Sequence, residues 1–446
     1  MTIFVPADVQ QIIDRLEASG HSAYIVGGCV RDAIMGRTPH DYDICTSALP
    51  DEVLAIFSDR KVIETGLKHG TVTVQGDTDY YEVTTYRIDG EYSDGRHPDE
   101  VKFVDDVVQD LSRRDFTINA MAYNAHTGLM DPFHGYDDIQ NGLIRCVGNS
   151  INRFNEDALR IMRAVRFAAT CGFIIHKDTH DAMLSLRNLL VHVSEERKTS
   201  EFCKMIVRAD VDLLLTYRDI FATFIPELQA TFDFAQNNHH HIYDVYEHTV
   251  HAVSKAPHDL HIRLALMFHD IAKPNTYVED DAGVGHFYGH ASDGAEMSKD
   301  IMKRMRLDND TISIVSDLIA SHDMATSTSL KAVRRIISKM GEDQARRLIE
   351  VMRADKLAQS NNADTIKNLE ILDIMENNID IVKANNECFT LKNLAINGHD
   401  LIGLGIKDGK LIGRTLNHLL DIVLAEPKKN VKETLIELAL KYVENN

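Results

Sequence analysis

The 446-residue sequence predicts an α+β head followed by an all-helical remainder, and two patterns carry that expectation. Residues 1 to about 140 mix short strand-like runs with short helical stretches, whereas from about residue 150 apolar residues recur at helical spacing. The strand-like runs are AYIV at 23–26, DYDICT at 41–46, TVTVQ at 71–75 and YYEVTTYRI at 80–88. Further on, EDALRIMRAVRFAATCG places Ala158, Ile161, Val165 and Ala168 on one helix face and stops at Gly172, which suits a helix C-terminus. A His-dense stretch runs from 226 to about 340, and 341–446 carries helices broken at NGHDLIGLGIKDGKLIG. The expected division is a head at 1–145, a helical neck at 146–225, a His-rich domain at 226–345 and a helical tail at 346–446.

Composition excludes several classes. With 44% hydrophobic and 26% charged residues the chain is ordinary globular material, and 9 Pro and 24 Gly are too few for low-complexity linkers. The start MTIFVPADVQQIIDRL lacks a basic segment followed by an apolar one, and no apolar run reaches the roughly 18 to 20 residues that span a bilayer, so a cytoplasmic protein is expected. Six scattered Cys without a CxxC pair read as reduced thiols. A formal charge of −20 argues against a nucleic-acid partner, yet a single RNA needs only a local basic stripe. Arg145 to Arg166, with five Arg, and Lys331 to Lys339, with four basic residues, are either such stripes or solvated helix faces.

AYIVGGCVRDAIMGR reads as a strand, a glycine turn at Gly27 and Gly28, and a short helix, an arrangement that brings backbone N–H groups close to a phosphate. In DYDICT the carboxylates of Asp41 and Asp43 are two apart on a strand and share a face. Side by side they repel, so they belong either to a solvated edge or to a divalent cation, and magnesium with nucleotide phosphates is the usual guest. Glu82, on another strand, is a candidate to face the same site. GGCVRDAIMGRTPHDYDICT closely resembles the signature of the class II tRNA nucleotidyltransferases, the CCA-adding enzymes and bacterial poly(A) polymerases of the polymerase-β-like superfamily. The resemblance implies a polymerase-β-like head with a mixed sheet. It gives Gly27 and Gly28 to the triphosphate, Asp41 and Asp43 to catalytic Mg2+, and Arg31 and Asp32 to the side of the nucleotide.

LSRRDFTINAMAYN resembles the family's next motif, which implies that Arg114, Asp115 and Asn119 contact sugar and phosphates. By composition it is an ordinary helix start. EDALRIMRAVRF resembles the base-selecting motif, and here a reason stands apart from the resemblance. Asp157 and Arg160, three apart on a helix, offer an acceptor beside a donor. Cytosine and adenine both present an amino donor next to a ring-nitrogen acceptor, whereas uracil and guanine put a carbonyl in place of the amino group. The alternative is a surface ion pair between the two residues. Arg163 and Arg166 lie nearby and face either RNA or the phosphates. Between Arg87 and Val101 a polar, Gly-containing loop sits where the family has one that assists the change from C to A addition.

His248, the adjacent His269 and Asp270, then His286, His290, His322 and Asp323 form a series of imidazoles and carboxylates. Burying an adjacent His-Asp pair requires a partner or a metal. The pattern resembles HD-superfamily phosphohydrolases, which implies His248, His269 and Asp270 as ligands of a divalent transition metal; the later ligand stays open between GHFYGH and SHD, and a vestigial fold with satisfied core histidines stays open too. His239 to His241 read as a surface cluster. The tail resembles the C-terminal segment of bacterial CCA-adding enzymes, meeting tRNA or forming a simple helical hairpin. Together the resemblances imply stepwise C, C and A addition to tRNA 3′ ends from CTP and ATP, with Mg2+ and no DNA or membrane partner. The alternatives are a poly(A) polymerase, or an HD phosphohydrolase with an RNA-binding head.

Overall fold

A computed structural model describes residues 2–90, 100–238, 242–360, 362–385, 387 and 390–445. Most of the loop between Arg87 and Val101, together with His239, His240, His241 and Cys388, lies outside the described residues. The chain forms two compact units, Met1–Pro226 and Glu227–Asn446.

In the first unit, strands β1 (Ala23–Val26), β2 (Asp43–Thr46), β3 (Val62–Gly66), β4 (Thr71–Gln75), β5 (Tyr80–Thr85), β6 (Ala122–Asn124) and β7 (Gly128–Met130) make one sheet in the order β3-β4-β5-β2-β1-β6-β7. It is mixed: β2 and β5 run parallel and every other pairing is antiparallel. Val26, Cys45, Tyr86, Leu111, Ala122 and Val147 belong to one apolar cluster on this sheet. Two strand expectations change. Residues 80–88 split at Tyr86, with Arg87–Asp89 pairing separately with Val101–Phe103. Asp41 precedes the strand rather than sharing it, because Val26↔Asp43 is the last pair before Gly27 turns β1 away and leaves residues 41 and 42 nothing to pair with.

The neck begins with Ser150–Glu156 and Leu159–Cys171, not with one continuous helix. Asp157 is extended at φ −145° and ψ 104°, and its Oδ1 accepts the Leu159 N–H at 3.0 Å, so a short carboxylate caps the restarted helix. Asp157 and Arg160 therefore do not project from one helix face. Ile161, Val165 and Ala168 are buried as expected, and Gly172 closes the helix at φ +73°. The helix Glu195–Ile206 packs along it.

The second unit is built from Val245–Lys255, Leu260–Phe268, His290–Arg304, Asn309–Ser321, Leu330–Met340, Glu342–Leu357 and Ala363–Ala384. Asp244, Asp259 and Asp308 cap three of these helices through side-chain oxygens. In the tail, Gly398–Gly403 and Gly409–Ala425 flank Gly405 at φ +91°, and Leu401, Leu419, Val423 and Leu435 form a core of their own. Arg334, expected on a basic stripe, is buried and paired with Glu387. Among the described residues no helix is long and apolar enough to cross a membrane.

Candidate active site and a second His-Asp cluster

Gly27 has φ +81° and ψ −126°, a conformation that L side chains rarely adopt, and a Cβ there would stand 3.0 Å from Arg114 Nη1. The glycine is what lets the chain turn from β1 beside that guanidinium. The turn opens a cavity of about 770 Å³ lined by Gly27, Gly28, Asp41, Asp43, Asp157, Arg160 and eleven others. Eight Arg or Lys side chains line it beside four Asp, so basic groups outnumber acidic ones in the wall of this cavity.

The side-chain carboxylates of Asp41, Asp43 and Glu82 receive no hydrogen bond or ion pair among the described residues. Glu82 precedes Val83, the parallel partner of Ile44, so it stands level with Asp43 on the neighbouring strand, although it does not line the cavity itself. Partial burial pushes the Asp43 carboxyl above its usual range; Arg114 pulls it back and Asp41 adds to the rise. Partial burial, then Asp43 and Asp41, raise Glu82. Neighbouring acids without a cationic partner, of which Asp43 and Glu82 are raised, fit a divalent cation.

A polar chain crosses the cavity wall. Arg31 donates to Asp32 Oδ1 at 2.9 Å and to Asn119 Oδ1 at 2.7 Å, and Asn119 Nδ2 donates to Asp115 Oδ1 at 3.2 Å. Arg163 grips Asp115 Oδ2 through Nε at 2.8 Å and Nη2 at 2.6 Å, and both Arg163 and Arg166 pair with Glu201. Arg114 is held by Asp110 at 3.3 Å, and the segment around Asp115 is a turn with a short 3-10 helix instead of a helix start. Arg163 and Arg166 line the cavity, but their guanidinium groups are committed to protein carboxylates. Asp32 does not line it; it anchors Arg31.

Asp157 and Arg160 do not form the surface ion pair that was the alternative. Arg160 donates to Glu156 Oε2 at 2.6 Å and to the carbonyls of Arg153 and Arg113 at 3.1 and 3.2 Å. Asp157 is held by Arg197 instead, with Nη2 to Oδ2 at 2.7 Å and Nη1 to Oδ1 at 3.3 Å. An acceptor and a donor thus meet the same cavity without cancelling each other.

In the second unit His248, His269 and Asp270 come together, and Asp355, from the helix Glu342–Leu357, joins them. His248 Nε2 lies 2.9 Å from Asp355 Oδ1, and His269 Nε2 lies 3.2 Å from Asp270 Oδ2. On the other side of Asp270, the Nε2 atoms of His290 and His322 stand 3.6 and 3.8 Å from Oδ1. His269, His290 and His322 each donate Nδ1–H to a backbone carbonyl, of Leu266, Phe287 and Ile319, which fixes the tautomer with Nε2 turned inward. Asp270 is 1% exposed, and neither of its oxygens accepts a well-directed hydrogen bond, although Lys273 Nζ lies 2.7 Å from Oδ2. Burial opposes charge on His269, but Asp270 and Asp355 outweigh it and raise the imidazole to about 10; burial, helped by His269, pushes His322 down to about 3. Two buried carboxylates calling for positive charge among inward imidazoles fit a transition metal. Both expected later motifs contribute, through His290 and His322. His286 instead pairs with the exposed Asp280, and Asp323 lines only the cavity beside the cluster.

Sequence reasoning missed Asp110, Glu156, Arg197, Glu201 and Asp355. Asp355 had a signal: with Leu348 and Met352 it completes an i, i+4, i+7 buried stripe, on which a carboxylate is out of place. It lies beyond residue 345, where the His-rich domain was expected to end.

Residues 23–145 match the family described as poly A polymerase head domain, 172–232 the probable RNA and SrmB-binding site of polymerase A, and 290–439 the putative tRNA nucleotidyltransferase domain 2. A CCA-adding enzyme of Oceanobacillus iheyensis is 48% identical over 206 residues, 46% of this chain and 51% of that protein. One from Listeria monocytogenes is 46% identical over 223 residues, 49% and 56% of the two chains. The chain thus spans about half the length of the curated relatives it matches. The Bacillus stearothermophilus CCA-adding enzyme in complex with CTP superposes with a TM-score of 0.73 at 27% identity, covering 98% of both chains. The Thermotoga maritima CCA-adding enzyme complexed with tRNA shares the fold, at a TM-score of 0.57 and 20% identity over 97% of this chain. A poly A polymerase head, a polymerase A RNA-binding segment and a tRNA nucleotidyltransferase domain 2 thus find matches one after another along the chain.

Proposed function

We propose that this protein is a nucleotidyltransferase that adds C, C and A stepwise to the 3′ end of tRNA from CTP and ATP without a nucleic-acid template. The observation that carries the reading is that Asp157, held by Arg197, and Arg160, held by Glu156, both line the cavity without pairing with each other. The relatives named CCA-adding enzymes, and the similar structure that binds CTP, support it. In this reading the backbone at Gly27 and Gly28 receives the triphosphate, and the cationic wall balances its charge. Asp41 and Asp43 would hold magnesium, which would supply activation of the RNA 3′-hydroxyl and neutralisation of phosphate charge. Arg31, Arg114, Asp115 and Asn119 brace the nucleotide from the wall. Asp157 accepts from the amino group of C or A and Arg160 donates to the adjacent ring nitrogen; U and G set a carbonyl against Asp157, and a mispaired edge in a confined site is costly. A tRNA transcript lacking its 3′ CCA, given CTP and ATP, should gain three residues and stop. A long A tract would make the protein a poly(A) polymerase, and no incorporation would refute both readings.

A second reading concerns the second unit, and the buried, hydrogen-bond-poor Asp270 favours it. His248, His269, Asp270 and Asp355, with His290 and His322, would hold transition metal, which would supply activation of water for phosphoester hydrolysis. Lys273 and Lys356 line the adjoining cavity of about 440 Å³, where they would meet phosphate oxygens. Metal analysis of the purified protein, with phosphatase assays in nickel, cobalt and manganese, tests this; neither metal nor hydrolysis would leave a vestigial site.

A further inference from the structure

We infer that Arg197, on the neck helix Glu195–Ile206, is a specificity-determining positioning residue that fixes the carboxylate of Asp157 in the one orientation that reads C and A. The inference rests on the nucleotide-addition reading and deepens it. Asp157 stands at a break between helices, with extended backbone, so no helix surface holds its side chain. Three hydrogen bonds do. Leu159 N–H donates to Oδ1 at 3.0 Å, and the Arg197 fork donates to Oδ1 at 3.3 Å and Oδ2 at 2.7 Å. A carboxylate has about four acceptor directions. These contacts fill both on Oδ1 and one on Oδ2, which leaves a single acceptor direction to address a base.

That count is what turns a swivelling anion into a selective reader. With one direction open, a base must bring a donor to one place, as the amino groups of C and A do. A carboxylate free to rotate, or to take a water molecule, could accommodate the carbonyl edge of U or G. The Arg197 guanidinium has no other hydrogen bond or ion pair among the described residues, so the fork is dedicated to Asp157. Its helix is anchored independently: Phe202 packs edge-on against Phe221 and Phe224, and Met205 and Ile206 are fully buried. Bidentate Arg–carboxylate pairing gives geometric definition that one ammonium point charge cannot.

The test compares wild type with R197M, R197K, D157A and the D157A/R197M double variant, using a tRNA transcript that lacks CCA. Steady-state kcat and KM are measured for CTP and UTP, and for ATP and GTP on the transcript ending in CC. The expected result for R197M is a fall of about 10- to 100-fold in the CTP-over-UTP ratio of kcat/KM, carried more by KM for CTP than by kcat. R197K should recover part of that ratio, and the double variant should match D157A within about 2-fold, because Arg197 acts through Asp157. A purely structural role would lower all four nucleotides together and leave the ratio intact. An R197M enzyme that adds CCA with wild-type discrimination, or a double variant about 10-fold worse than D157A, overturns this inference alone. A wild type that incorporates nothing overturns the nucleotide-addition reading as well.

Discussion

Replacing Arg163 with methionine separates a structural role for this guanidinium from a nucleotide-binding one. Asp115 is 9% exposed, and among the described residues its Oδ2 accepts only from Arg163, while Oδ1 keeps the Phe116 N–H at 2.8 Å and Asn119 Nδ2 at 3.2 Å. Methionine preserves most of the side-chain length, so the loss is chiefly electrostatic. Orphaning one member of a fully buried pair costs about 3–5 kcal/mol. Here the Arg163 side chain is 33% exposed and water can enter the vacated space, which brings the expected cost down to about 2 kcal/mol. For a unit of this size that is a fall in Tm of roughly 4–8 °C. Burial alone would raise the Asp115 pKa, but Arg163, Asn119 and the Phe116 N–H outweigh it and hold the carboxyl below its usual range. Its stabilisation is therefore present above the unfolded pKa of about 4 and is lost as pH falls through the lower folded value. The gap in Tm between wild type and variant should be widest near neutrality and should close below about pH 4. Adding D115N to R163M should restore most of the loss. Calorimetry across pH, with KM for CTP measured alongside, decides the matter: a Tm within about 1 °C of wild type together with a tenfold rise in KM would refute the structural reasoning.

Three other outcomes are expected. Because Asp43 is raised by partial burial and by Asp41, its ionisation works against folding, so D43N should match wild type at low pH and exceed it by up to about 0.5 kcal/mol near neutrality without magnesium. Magnesium with CTP at 100-fold its Kd should stabilise wild type by about 2.7 kcal/mol and D43N much less, with nucleotide incorporation abolished although tRNA still binds; equal stabilisation of both would count against Asp43 as a metal ligand. Gly27→Ala, forced into positive φ and towards Arg114, should lose about 1–3 kcal/mol in thermal melts and raise KM for CTP; an unchanged melt would mean the turn relaxes freely. H269A and D355A should each lose bound transition metal by elemental analysis, and retention in D355A would remove Asp355 from the ligand set.

The parts of the fold that could be read from sequence were those in which pattern and environment coincide. TVTVQ alternates because β4 buries Val72 and Val74 between β3 and β5, and the helix ending at Gly172 keeps its phase because Ile161, Val165 and Ala168 meet the core. The break at Asp157 left no trace in that periodicity. Ala158 to Ala168 keep their spacing whether or not the helix starts afresh, and the interruption depends on one hydrogen bond from Leu159 N–H. Asp41 and Asp43 could be identified as a pair, but the start of β2 could not, since it depends on where Gly27 removes the partner strand. Long-range ion pairs were the least legible: Arg197 reaches Asp157 across 40 positions, and Asp355 reaches His248 across 107.

Net charge misleads for a related reason. At physiological ionic strength exposed charges more than about 8–10 Å apart are largely screened. The 20 excess acidic residues, spread over the whole chain, therefore weigh far less on a triphosphate than the eight cationic side chains around the cavity. Several of those cations are also committed to Asp110, Asp115 and Glu201, so the cavity's field comes from fixed groups that need little rearrangement when an anion arrives. A cation-rich wall inside an acidic protein then follows from the carboxylates that hold the cations in place.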